Sequence, residues 1–99
     1  MKLVRFGSKD CAYCRAMDKA GTLNHFWFPH PELKVETAEI DGRDDLIDLH
    51  GIRYLPVLIF FADTGEELVR SKPTDGRSTG AIEALYQKAQ EISAKKGLT

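Results

Sequence analysis

The chain has 99 residues, 14 basic and 15 acidic, for a net charge of −1, with 42% hydrophobic and 29% charged residues. These numbers describe one ordinary globular domain spanning residues 1–99, long enough to bury a modest core. The balanced charge argues against nucleic acid or an anionic membrane as partner. No apolar run approaches the roughly 20 residues of a spanning helix. The start, Met1 to Phe6, is too short and too charged to read as a signal peptide. A cytoplasmic monomer is the expectation, or a periplasmic protein if a leader has been removed.

In chain order, Lys2–Phe6 is a candidate strand interrupted by Arg5, and Gly7-Ser8-Lys9-Asp10 is a loop. Asp10 is an acceptable N-cap for the first helix. The only two cysteines, Cys11 and Cys14, stand three apart in Cys11-Ala12-Tyr13-Cys14. Behind them Met17, Ala20, Leu23 and Trp27 recur at spacings of three and four, predicting one amphipathic helix that ends between Asn24 and Phe28. Gly21 weakens its middle. Pro29 and Pro31 forbid its continuation. The aromatic run Phe26-Trp27-Phe28 is expected to pack that helix end onto the sheet.

Residues 33–40 read as a second strand and 44–50 as a short helix stopped by Gly51. Val57-Leu58-Ile59-Phe60-Phe61 is an unbroken apolar run, suited to a strand buried on both faces. Asp63-Thr64-Gly65 is a hairpin turn and 67–72 the antiparallel return strand. Ser78 or Thr79 can cap a last helix striped by Ile82, Leu85, Tyr86, Ala89 and Ile92. The order β-α-β-α-β-β-α implies an α/β fold: a four-stranded mixed sheet with helices on both faces.

The cysteine pair carries the chemistry. At the start of a helix, Cys11 meets unpaired N–H groups and the positive end of the helix dipole, which stabilise a thiolate nucleophile. Cys14, one turn further in, is placed to attack a mixed disulfide on Cys11 and release the partner. A bridge across so short a loop constrains the unfolded chain little, so a structural staple is a poor explanation. Lys9 and Arg15 favour negative charge near the pair and Asp10 opposes it. A rival set of ligands, Cys11, Cys14, His25 and His30, has the spacing Cys-x2-Cys-x10-His-x4-His, close to a zinc-finger pattern. Without a metal, His25, His30 and His50 are expected to be exposed.

The element order, the Cys-x-x-Cys after the first strand, and the stretch Gly51-Ile52-Arg53-Tyr54-Leu55-Pro56-Val57-Leu58-Ile59-Phe60-Phe61 together resemble the thioredoxin family over nearly the whole chain. The chain lacks the extra N-terminal strand and helix of full thioredoxins, so its size is closer to that of glutaredoxins. The resemblance implies a thioredoxin fold and a thiol-disulfide oxidoreductase whose redox group is its own Cys11–Cys14 pair, with no further cofactor and no metal. It implies a cis bond before Pro56, with Leu55 offering its backbone to an extended substrate and Tyr13 and Tyr54 completing the rim. Partners would be a disulfide-containing or dithiol protein and an unidentified reductase or thiol electron donor. Arg5 matches the place of a buried aspartate in thioredoxins. It is expected to reach a solvated edge or pair with a carboxylate, and with Asp10 to tune the thiols. Glutaredoxin-like use of glutathione and a non-catalytic interaction module on the same fold remain alternatives.

Overall fold

The computed structural model describes residues 1–98. Strand β1 (Lys2–Gly7) is followed by helices α1 (Ala12–Ala20) and α2 (Thr22–Trp27), strand β2 (Lys34–Glu39), helix α3 (Asp44–His50), strands β3 (Val57–Phe61) and β4 (Glu67–Arg70), and helix α4 (Thr79–Lys95). The sheet order is β2-β1-β3-β4. β1 runs parallel to β2, and the helical connection between them is what a parallel pair requires. β3 is antiparallel to both β1 and β4. The register of β3 against β4 shifts at Phe60/Phe61, where Leu68 is the extra residue on β4.

Period-two alternation on the sheet divides the core. Leu3, Leu58 and Phe60 face Met17, Leu23 and Phe26 of α1 and α2 and Ile82, Leu85, Tyr86 and Ala89 of α4. Val4, Phe6, Val57, Ile59 and Phe61 face the other way, with Ile47 of α3 packed against them. All five residues of β3 are buried, as its unbroken apolar sequence requires.

The single helix expected after Cys11 is two. Gly21 adopts φ +68° and ψ +26°, closes α1 by donating its N–H to the Asp18 and Met17 carbonyls, and opens α2. The reason lies in the periodicity. Nine residues separate Met17 from Phe26. At about 3.6 residues per turn a straight helix would set them on opposite sides. The left-handed glycine re-aims the chain so that both are buried. The aromatic run divides accordingly. Phe26 is fully buried, with Phe60 and Tyr86 against its ring. Trp27 stays largely outside, its indole N–H donating to the Leu33 carbonyl at 2.7 Å, and Phe28 is 86% exposed. Only the first of the three packs the helix onto the sheet.

Two histidines expected at the surface are also drawn inward. The His30 ring lies against Phe26 and Tyr86, with Nε2 2.7 Å from Glu83 Oε1. His50 sits between Phe6 and Phe61. His25 is exposed.

Truncating a fully buried phenylalanine removes its transfer free energy and leaves a cavity. Phe26→Ala is therefore expected to lower unfolding stability by about 3–5 kcal/mol. Phe28→Ala is expected to change it by no more than about 0.5 kcal/mol. Urea unfolding of the two variants checks this difference.

Candidate active site

β1 ends at Gly7, and the chain turns through Ser8-Lys9-Asp10 into α1. This loop is anchored. Asp41 accepts the Lys9 N–H at 3.1 Å and the Ser8 hydroxyl at 3.0 Å. Those two donors, the Lys9 N–H foremost, hold the Asp41 carboxyl below its ordinary range. With the folded-state value depressed, the anchor's contribution is complete above the ordinary carboxylate range and is lost as pH falls through the lowered value.

The N-cap of α1 is Cys11 rather than Asp10. The Asp10 N–H donates to Ser8 Oγ at 3.2 Å, and its carboxylate is exposed. Cys11 takes extended dihedrals, and its Sγ accepts the Cys14 N–H at 3.1 Å. A sulfur thus occupies the place that a serine or aspartate oxygen usually fills at a helix start. Cys11 and Cys14 are joined as a disulfide with their Cα atoms 5.2 Å apart. Their exposure differs. Cys11 is partly open to solvent, whereas Cys14 is 1% exposed.

The cis peptide bond implied at Leu55–Pro56 is present. The antiparallel register pairs Phe6 with Val57, so Pro56, one residue earlier, arrives beside Gly7 at the foot of the cysteine loop. Pro56 is buried; Tyr54 and Leu55 are half-buried and pack against the α3-side core. The Tyr54 hydroxyl donates to the Ser71 carbonyl and so ties this loop to the chain after β4. Tyr13 is exposed between the cysteines, and the Arg77 guanidinium lies 3.9 Å from its ring centroid, linking the loop before α4 to the cysteine loop.

Arg5 does not reach a solvated edge. It is 3% exposed and shares a face of β1 with Leu3, beneath α1. Its Nη2 donates to both Asp18 carboxylate oxygens at 3.0 Å, and Nη1 donates to Glu39 Oε1 at 3.3 Å. Nε has no hydrogen-bond partner. Asp18 follows Cys14 by four residues on α1, and Glu39 closes β2. A Cβ added at Gly7 would collide with Arg5 Nη1 and lie 3.2 Å from Cys14 Sγ. Guanidinium and sulfur are therefore neighbours across Gly7. Asp18, Glu39 and Gly7 were not singled out by the sequence, although the i, i+4 spacing of Cys14 and Asp18 already places them on one helix face.

The four zinc-finger-like positions are not a cluster. The two cysteines are bonded to each other, and His30 is engaged with Glu83. Among the described residues, no three histidine, cysteine or acidic side chains form a group suited to a metal ion.

Gly7→Ala is expected to destabilise the fold by about 1–3 kcal/mol, the usual cost of overpacking. Guanidinium and sulfur would have to part to admit the methyl group. Chemical denaturation of the oxidised variant measures the cost.

No protein-family model matches the chain, and no curated protein matches it in sequence. Solved structures do match. Thioredoxin from Fasciola hepatica superposes with TM-score 0.73 at 17% identity, over 89% of this chain and 79% of that one. Oxidised mitochondrial thioredoxin 3 from Saccharomyces cerevisiae gives 0.72 at 16%, over 87% and 76%. Thioredoxin 1 from the thermophilic eubacterium Thermosipho africanus gives 0.67 at 17%, over 91% and 99%. The mixed sheet, its flanking helices and the Cys-x-x-Cys pair at the first helix together give this chain the thioredoxin fold.

Proposed function

We propose that this protein is a thiol-disulfide oxidoreductase acting on protein disulfides through Cys11 and Cys14. The observation that carries the reading is the asymmetry of the pair. One sulfur is partly exposed and caps a helix; the other is buried one turn behind it. The Cys14 N–H and the helix terminus, worth about half a positive charge, stabilise negative charge on the Cys11 sulfur. The adjacent Asp10 carboxylate opposes this. It is exposed and screened by water and salt, whereas the N–H is in contact, so the stabilising contribution is the larger.

In the reducing direction, the Cys11 thiolate attacks one sulfur of a partner disulfide. The new bond joins Cys11 to the partner, and the partner's second sulfur leaves as a thiolate. Cys14 then gives up its proton and attacks Cys11 Sγ. The Cys11–Cys14 disulfide forms, and the first partner sulfur leaves as a second thiolate. Two electrons pass from the dithiol to the partner. A thiol reductant restores the dithiol by the reverse exchange, and oxidation of a partner dithiol is the same sequence run backwards. Tyr13, Tyr54, Leu55 and Pro56 form the rim that an extended partner segment touches. The chemistry requires no metal, no further cofactor and no second copy of the chain.

The roles predict unequal trapping. When the reduced Cys14→Ser variant is mixed with a disulfide-containing protein such as insulin, it should accumulate a covalent adduct through Cys11. The Cys11→Ser variant should not. Non-reducing electrophoresis and mass analysis read the outcome, and equal adducts from both variants would reverse or void the assignment.

A further inference from the structure

We infer that the buried Arg5 guanidinium is the counter-cation of the Cys14 thiolate, so that the resolving thiol is activated by a fixed positive charge, with Asp18 and Glu39 as positioning residues that hold it. This rests on the oxidoreductase reading and names the group that serves its second step. Arg5 of β1 is the charged group set beside Cys14 across Gly7; Asp18 of α1 and Glu39 at the end of β2 are bonded to that guanidinium, and on α1 the Cys14 N–H donates to the Cys11 sulfur. On the Pro56 loop, the Tyr54 hydroxyl is turned away to the Ser71 carbonyl.

The two carboxylates carry more formal charge than the guanidinium, so the sign depends on distance and solvent. Arg5 and Cys14 are 3% and 1% exposed and flank Gly7. Asp18 and Glu39 are 48% and 43% exposed, and water screens their action on the sulfur. The buried cation beside the sulfur therefore outweighs the wetted anions that hold it. Arg5 also has unused donor capacity. A guanidinium offers five N–H donors, and its Nε here has no partner. A buried donor without an acceptor is costly unless something anionic arrives nearby. The Cys14 thiolate, formed when the disulfide opens on the other side of Gly7 from Nη1, is the anion that the geometry sets beside this cation. Its proton goes to solvent, and no carboxylate base is needed beneath the sulfur.

The test uses the full-length reduced protein and an aryl disulfide whose departing thiolate is coloured, followed by stopped flow across pH. Cys11 attack releases the first aryl thiolate. Cys14 attack on the Cys11–aryl mixed disulfide releases the second, so the two phases report the two cysteines separately. In Arg5→Met the pH midpoint of the second phase should rise by about one unit or more, an approximately tenfold slowing below the midpoint. Arg5→Lys should recover most of that loss. Asp18→Asn keeps an amide oxygen to hold the guanidinium but removes the opposing negative charge, and should move the midpoint the other way, downward. A structural role alone would predict impairment by both substitutions. Folding of each variant is checked by circular dichroism. Should Arg5→Met fail to fold, Asp18→Asn still decides the sign, because it alters the charge around the sulfur while Arg5 stays in place. An unchanged second-phase midpoint in Arg5→Met or in Asp18→Asn, or a shift in the same direction for both, would overturn the inference while leaving the oxidoreductase reading intact. Absence of a second phase in the unsubstituted protein would overturn that reading as well.

Discussion

An arginine side chain withdrawn almost entirely from water must be compensated where it lies, and in this protein that requirement binds three elements together. Arg5 projects from the central part of the sheet under the first helix. Asp18 reaches it from α1 and Glu39 from the last residue of β2. Removing one partner of a buried ion pair is far more damaging than replacing the whole pair with apolar groups, because it strands a charge. The position of α1 over β1 is thus coupled to charge neutralisation as well as to the burial of Met17. Gly7 belongs to the same constraint, since no side chain fits between the guanidinium and the Cys14 sulfur.

The cysteine loop inherits its geometry from that arrangement. β1 delivers the chain to Gly7, Asp41 pins Ser8 and Lys9, and the helix begins at Cys11. From there helix periodicity does the sorting. The cap position faces solvent, and the residue three further on turns inward over the sheet. Exposure of one sulfur and burial of the other follow from their places on α1, with no special contact needed. The antiparallel pairing of β3 with β1 brings Pro56 to the same end of the sheet, so residues more than forty positions apart meet around one disulfide. The Arg77–Tyr13 stack and the Tyr54–Ser71 hydrogen bond add the chain following β4 to this assembly.

Much of this was legible in the chain itself. The element order, β3 as a buried strand, the 44–50 helix and the Ser78 cap are local properties of apolar period, turn residues and capping chemistry. The cysteine pair was legible because its spacing and position at a helix start have a chemical meaning in themselves. The exceptions are equally physical. A spacing of three and four drew Ala20 and Trp27 into the expected stripe, but the left-handed Gly21 broke the helix and turned Phe26 inward instead. Asp10 is a good N-cap by composition, yet the cap fell one residue later, where the loop hydrogen bonds left Cys11. His30 and His50 were expected in water because histidine is ambiguous by type, and each was claimed by aromatic neighbours distant in sequence.

By itself, then, the sequence determined the mixed α/β architecture and the pair of sulfurs at the head of the first helix. Both are written in residues close to one another along the chain. Only the tertiary structure decided what Arg5 does. Its partners lie thirteen and thirty-four residues away, and a lone arginine in a strand is compatible with either a wet edge or a buried ion cluster. The choice between them depends on which carboxylates the fold brings within hydrogen-bonding distance, and on whether water can follow. Long-range packing settles both.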